Sequence, residues 1–217
     1  MVYSTSKGRY RMPRDKSATH ERLQPIVRHE FLEFGFEKAS LKHIASQAGI
    51  TAAGLYRHYP NKEEMFASLV EDTVRQFLEF WDMKAEQALH IPDEDDFLHN
   101  FAVFRNQANR ELVEFMYNHY EDLKLVIMKS RGTRFEHFED ELINREYNAI
   151  IRLLSVLDEK GIPHNTPTDK EVHILSTTFI IGLTEAIKHD YTKEDALEHL
   201  DFVTRFLVPG FREILGF

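Results

Sequence analysis

Apolar residues recur at three- and four-residue steps along most of the chain, and no stretch sustains a period-two alternation, so the pattern predicts helices and no sheet. Leu23, Ile26, Val27, Phe31 and Phe34 form one stripe and predict a first helix from 17 or 19 to 34. Gly35 ends it, where a left-handed backbone costs a glycine little. Pro25 falls inside this stripe. An interior proline costs about 3 kcal/mol of helix stability, so either the helix kinks there or its regular part begins near Pro25. Ser40 is an N-cap for a second helix, 41–48, which Gly49 ends. Thr51 caps a third, 52–59, which Pro60 stops. Asn61 caps a fourth helix that begins at Lys62 and runs past Trp81, and Asn61 with Glu64 has capping-box spacing. Ile91-Pro92-Asp93 is a break. Five further helices are expected at roughly 94–108, 110–129, 134–160, 168–189 and 193–214, with Thr168 and Glu171 as a second capping box. The fold class is therefore all-α, with about nine helices in all.

At 217 residues, with 42% hydrophobic and 29% charged, the chain has the size and balance of one or two globular domains. It has no cysteine, which excludes disulfides, thiolate catalysis and cysteine zinc sites. Its longest apolar run, Phe179 to Leu183, is far short of the ~20 residues that cross a bilayer. Met1 to His20 is polar and basic, without the apolar core of a secretory signal. A cytoplasmic protein without membrane association is expected. The net charge of −9 is unevenly spread: residues 1–60 hold ten Lys and Arg against five acids, a balance of +5, leaving −14 for the rest. A basic head on an acidic body points to a polyanion met by the head alone. Residues 1–16, with Lys7, Arg9, Arg11 and Arg14, read as a flexible basic arm.

Residues 41–56 carry the most specific pattern. Two short helices meet at a tight turn holding Gly49, and Ile44, Ala45, Ala48, Ile50 and Leu55 are spaced to pack one against the other. This is the arrangement of a helix-turn-helix, in which the second helix enters the major groove by its N-terminal residues. Many helical hairpins turn on a glycine without touching DNA, so the flanks matter. Phe34-Gly35-Phe36-Glu37-Lys38-Ala39-Ser40 precedes the pair, and Leu55-Tyr56-Arg57-His58-Tyr59-Pro60-Asn61-Lys62-Glu63-Glu64 follows it.

Together these residues, about 20–70, resemble the N-terminal domain of the TetR family of transcriptional regulators. The resemblance implies a helix-turn-helix DNA-binding domain at 17–66 and a larger helical effector-binding and dimerisation domain at 67–217. It implies a repressor that a small molecule releases from double-stranded operator DNA, and no enzyme. Ser40 and Lys42 would face a phosphate, and Thr51, Ala52, Ala53 and Gly54 would open the recognition helix. Tyr56, His58 and Lys62 would contact the DNA backbone, and Arg57 either phosphate or a base edge. Ala52-Ala53-Gly54 departs from relatives with long polar side chains there. Direct readout then falls to Thr51, Arg57 and Lys42, with alanine methyls against thymine methyls, and the basic arm could add minor-groove contacts.

The body is rich in aromatic residues at helical spacing, which by themselves read as core. The resemblance implies an effector pocket among them, with Phe77, Trp81, Phe101, Phe104, Arg105, Phe115, Tyr120, Arg131, Phe138 and Tyr147 as its candidate lining, and Asn106, Arg134, His137 and Asn144 as further polar anchors. It also implies a homodimer through the last two helices. Val172, Leu175, Phe179, Leu183 and Ile187 mark one stripe there, Leu197, Leu200, Val203, Phe206 and Leu207 the other, and Gly182 a point of close approach at the seam. Glu185 with His189, and His137 with Asp140 or Glu141, have the helical spacing of a metal pair. Such pairs arise freely among 36 acids, and no metal or cofactor is expected. No phosphate loop, nucleophile elbow or HExxH motif is present. A DNA organiser without an effector, or a helical adaptor, is the competing reading.

Overall fold

The computed structural model describes residues 16–91 and 96–216, the side chains of the first five excepted. The basic arm and the break at Pro92-Asp93 lie outside the described residues. Nine helices are found among those described: α1 (Lys16–Lys38), α2 (Leu41–Gln47), α3 (Ala52–Leu55), α4 (Lys62–Leu89), α5 (Phe97–Asn118), α6 (Tyr120–Lys129), α7 (Phe138–Lys160), α8 (Asp169–Lys188) and α9 (Lys193–Leu215). The described residues contain no strand.

The caps follow local chemistry. Ser40, Thr51, Asn61, Asp96, Thr168 and Thr192 each accept a backbone N–H of the first turn they precede. Thr168 and Glu171 close a full capping box, and these bonds hold the Glu171 carboxyl below its ordinary range. Asn61 makes only half of one, because the Glu64 side chain turns away to Arg134. Gly35, at φ 72° and ψ 167°, breaks the helical path of α1. Pro25 lies inside α1 on its exposed side.

Several expected boundaries shift. No break occurs at 109: α5 runs through to Asn118, because Ala108, Leu112, Val113 and Met116 continue one buried face across the poor helix formers Asn106 and Asn109. The interruption falls instead at His119. The third helix is shorter than expected and closes in turns, with Tyr56 N–H donating to Ala52 and Tyr59 N–H to Leu55. Residues 131–137 are turns, so α7 begins at Phe138 rather than 134.

One apolar core runs from Leu23, Val27 and Phe31 in α1, along Phe66, Val70, Phe77 and Trp81 of α4, to Leu183 and Ile187 of α8. Phe34 is not part of it. It stands 48% exposed, and Phe36, redirected by Gly35, packs instead against Phe31 and Phe66 at ring distances of 6.1 and 5.7 Å. The stripe Val172, Leu175, Phe179, Leu183 and Ile187 is buried within the chain. Gly182 makes a close contact within the chain. A Cβ there would lie 3.1 Å from Val203 Cγ1, and the Gly182 carbonyl faces His199 Nε2 at 2.7 Å. Replacing Gly182 with Leu should therefore overpack the α8–α9 contact and lower stability by about 1–3 kcal/mol. Chemical denaturation checks this, and an unchanged midpoint would show that the two helices are not in close contact.

Candidate functional site

The head is assembled around α2 and α3. Ala48 ends α2, Gly49 takes the left-handed conformation at φ +64°, and the Ile50 N–H reaches back to the Ala45 carbonyl at 2.9 Å while Gly49 N–H reaches Ser46 at 3.1 Å. This pair of bonds is a Schellman closure, which sets the angle between the helices. Ile44, Ala45 and Leu55 are buried in the angle. Thr51 Oγ1 then accepts the Gly54 N–H at 3.0 Å and starts α3.

The consequence is a face of exposed residues. Ser40 and Lys42 at the start of α2 are exposed, as are Thr51, Ala52, Ala53, Tyr56 and Arg57 along α3 and the turn after it, while Gly54 and His58 are half-buried. Lys62 differs. Its Nζ donates to the Glu37 carbonyl at 3.2 Å and stands 5.0 Å over the Phe36 ring. Partial burial pushes this lysine below its ordinary value, and the charge of Glu30 pulls it back.

Glu30 was not legible as a functional position. It is buried on the core side of α1, where Oε1 accepts the Ser40 N–H at 2.7 Å and Oε2 meets His43 Nδ1 at 2.6 Å. His43 Nε2 in turn faces Gln47 Nε2 at 3.2 Å. One carboxylate thus clamps the start of α2 to α1. The only sequence signal was an acid among apolar neighbours, one step before Phe31.

Two joints tie the head to the body. Arg28 of α1 pairs with Asp122 of α6, whose second oxygen accepts from Thr73 of α4 at 2.6 Å. In the turns after α6, the Arg134 N–H donates to Glu63 at 3.0 Å, and its guanidinium bonds Glu64 at 2.9 Å and Glu71 at 2.7 Å, all on α4.

The body holds a cavity of about 270 Å³ among α5, α7, α8 and α9. Of the expected lining, Phe101 and Arg105 face it, as does Asn106 among the further anchors. Phe77, Trp81 and Phe138 are buried in the core beside it, Phe115 stacks on Phe80 and His119, and Phe104 lies 5.8 Å beneath Lys84. The Tyr120 hydroxyl donates to Asp190, Arg131 pairs with Glu37 at the surface, and the Tyr147 hydroxyl reaches Asp169 at 3.2 Å. Arg134, His137 and Asn144 line a separate recess beside α7. Among the described residues no group of three or more metal-ligating side chains comes together, and no helix is long and apolar enough to cross a membrane.

Residues 28–69 match the family described as bacterial regulatory proteins, tetR family. Over these residues the head is similar to that family. No curated protein matches the chain in sequence. Among solved structures, a TetR-like transcriptional regulator from Rhodococcus sp. RHA1 is similar at 16% identity and TM-score 0.55, with 92% of this chain and 100% of that one covered. NalD, the secondary repressor of the MexAB-OprM multidrug efflux pump in Pseudomonas aeruginosa, is similar at 18% identity and TM-score 0.53, with 89% and 97% covered. SmeT, the repressor of the Stenotrophomonas maltophilia multidrug efflux pump SmeDEF, is similar at 19% identity and TM-score 0.52, with 88% and 90% covered. The helical fold of these regulators therefore extends through the body that carries the TetR-type head.

Removing the Glu30 side chain tests the clamp within that head. Glu30→Ala leaves the Ser40 N–H and His43 without their acceptor, at a cost of about 1–3 kcal/mol. Faster hydrogen exchange confined to residues 40–44 is the expected signature. Protection there equal to the parent's would remove Glu30 from the account of how α2 is held.

Proposed function

We propose that this chain is a sequence-specific DNA-binding transcriptional regulator, a homodimeric repressor that a small molecule releases from its operator. The observation that carries the reading is the exposed opening of α3 within a TetR-type head. Thr51, Ala52, Ala53, Tyr56 and Arg57 are all exposed, as are Ser40 and Lys42 at the start of α2, within the residues that match the family. A helix-turn-helix docks in this way: residues at the front of the second helix read base edges and the first helix meets the phosphates. Ala52 and Ala53 offer methyl groups only, so hydrogen-bond readout rests on Thr51 and Arg57. Lys62 joins the phosphate contacts only if it leaves Glu37 and Phe36.

The outward faces of α8 and α9 support the dimer. Ile174, Ile181, Phe202 and Phe206 are exposed, the last at 70%, while the inward stripes of the same helices are spent on the chain's own core. A two-fold pairing there would set two α3 helices about one DNA turn, ~34 Å, apart. The cavity favours an effector-responsive regulator over a DNA organiser. Its wall Phe179 lies 6.4 Å, ring to ring, from Trp81 of α4, the helix that begins in the head. An effector that binds the released state more tightly would act along this contact. NalD and SmeT bear the description of repressors, which favours repression here.

Selection from random duplexes followed by mobility-shift titration tests the reading. The protein should enrich a near-palindromic site, with affinity falling steeply as salt rises. Lys42→Ala should weaken every duplex alike and lower the salt slope by about one per head, while Arg57→Ala, if it reads a base, should cost about 1–3 kcal/mol and relax one position of the site. No preference over random competitor at modest ionic strength would end the regulatory reading. Phe206→Glu should give a monomer in sedimentation and weaken operator binding in parallel. A dimer that survives this change would place the interface elsewhere.

A further inference from the structure

The cavity contains a polar group that the fold does not satisfy. Glu146 of α7 is only 3% exposed and lines the cavity wall. Its Oε1 accepts from Arg105 Nη2 at 2.7 Å, while its Oε2 is buried and has no donor among the described residues. Thr204 Oγ1 of α9, on the same wall, is likewise buried without a partner. Buried carboxylate oxygens are normally saturated with donors, because an unpaired one in an apolar surround is costly. Phe101, Ile150, Leu153, Phe179, Leu207 and Phe211 form much of the remaining wall, with His99, Asn106, Asn109 and Arg212 among its further polar residues.

We infer that the cavity takes a small apolar molecule bearing a hydrogen-bond donor, a hydroxyl or an amine, which it delivers to Glu146 Oε2 with Thr204 beside it. The inference rests on the effector-responsive reading above and names the chemistry of that effector. An anionic ligand is disfavoured by the same residues. Arg105 already donates to Glu146 and lies 5.8 Å over the Phe179 ring, so an incoming carboxylate would have to share this guanidinium with a buried acid and sit beside that like charge. Because Arg105 neutralises Glu146, a neutral hydroxyl satisfies the site without adding charge, while an ammonium adds one positive charge. The volume of about 270 Å³ is near the small end of ligand pockets and suits a body of roughly ten heavy atoms.

The test uses the full chain without DNA and three probes of one length: octan-1-ol, octylamine and octanoate. Trp81 is the only tryptophan and touches the cavity wall through Phe179, so its fluorescence reports occupancy. Calorimetry gives the affinities. The alcohol or the amine should bind roughly ten- to hundred-fold more tightly than octanoate, the difference that a hydrogen bond to a charged group makes. The stronger of the two identifies a neutral or a cationic donor. Glu146→Gln should narrow or reverse the ranking, since it presents an amide to the cavity and loosens the hold on Arg105. Octanoate binding as well as or better than both donors would overturn the inference, as would no binding by any of the three. Should Glu146→Gln lose its helical circular dichroism, the ranking in the unsubstituted protein decides alone. Operator release is measured separately. Donor binding through Glu146 that leaves DNA affinity unchanged would sink the release reading and keep this one, whereas octanoate that binds and releases DNA would do the reverse.

Discussion

With 28 residues, α4 spans roughly 42 Å. A helix of that length cannot bury its apolar face in a small head alone. Met65, Phe66, Leu69 and Val70 pack under α1, and Val74, Phe77 and Trp81 continue the same stripe into the body. The head is therefore not a bead on a string. Its core and the body's core share this stripe, and the two ion-pair joints at Asp122 and Arg134 sit on either side of the helix that carries it. Any change in the tilt of α4 must reposition α1, and with it the α2–α3 pair that Glu30 and the Schellman closure hold in place.

Both informative acids in this chain are buried, and they do opposite things. Glu30 has a partner on each oxygen and makes a rigid corner. Glu146 has a partner on one oxygen only and faces a void. The difference follows from what surrounds each one. Glu30, itself in mid-helix on α1, faces the start of α2, and free N–H groups are plentiful at helix starts. Glu146 faces no helix start and is bonded by a side chain alone, that of Arg105. A carboxylate is a signal of structure in the first setting and of recognition in the second.

The sequence carried the helices and the head well, and the cavity poorly. Caps and stops were legible because they depend on one or two residues: Ser40, Thr51, Gly49 and the Thr168–Glu171 box form as their chemistry requires. The break expected near Asn109 does not occur because burial of Ala108, Leu112 and Val113 outweighs local propensity. The head's exposed face was legible because it lies within a contiguous stretch of about twenty residues. The cavity was not, because its walls come from four helices spread over residues 96–215. An aromatic stripe marks core and pocket alike. Phe77 and Phe101 have the same spacing signal, yet one is sealed against Phe115 and Phe138 and the other faces open space. Only the packing of distant segments separates them.

Helix α9 has two faces with two different surroundings. Thr204, Leu207 and Val208 look into the cavity, while Phe202 and Phe206, interleaved with them, look outward from the chain. If the outward face is the seat of a second copy, then filling the cavity and pairing the subunits draw on the same few ångströms of helix. Linkage makes such a dependence mutual. A guest that strains α9 against its partner would be held less firmly at protein concentrations that favour pairing, and dilution alone would alter its apparent affinity.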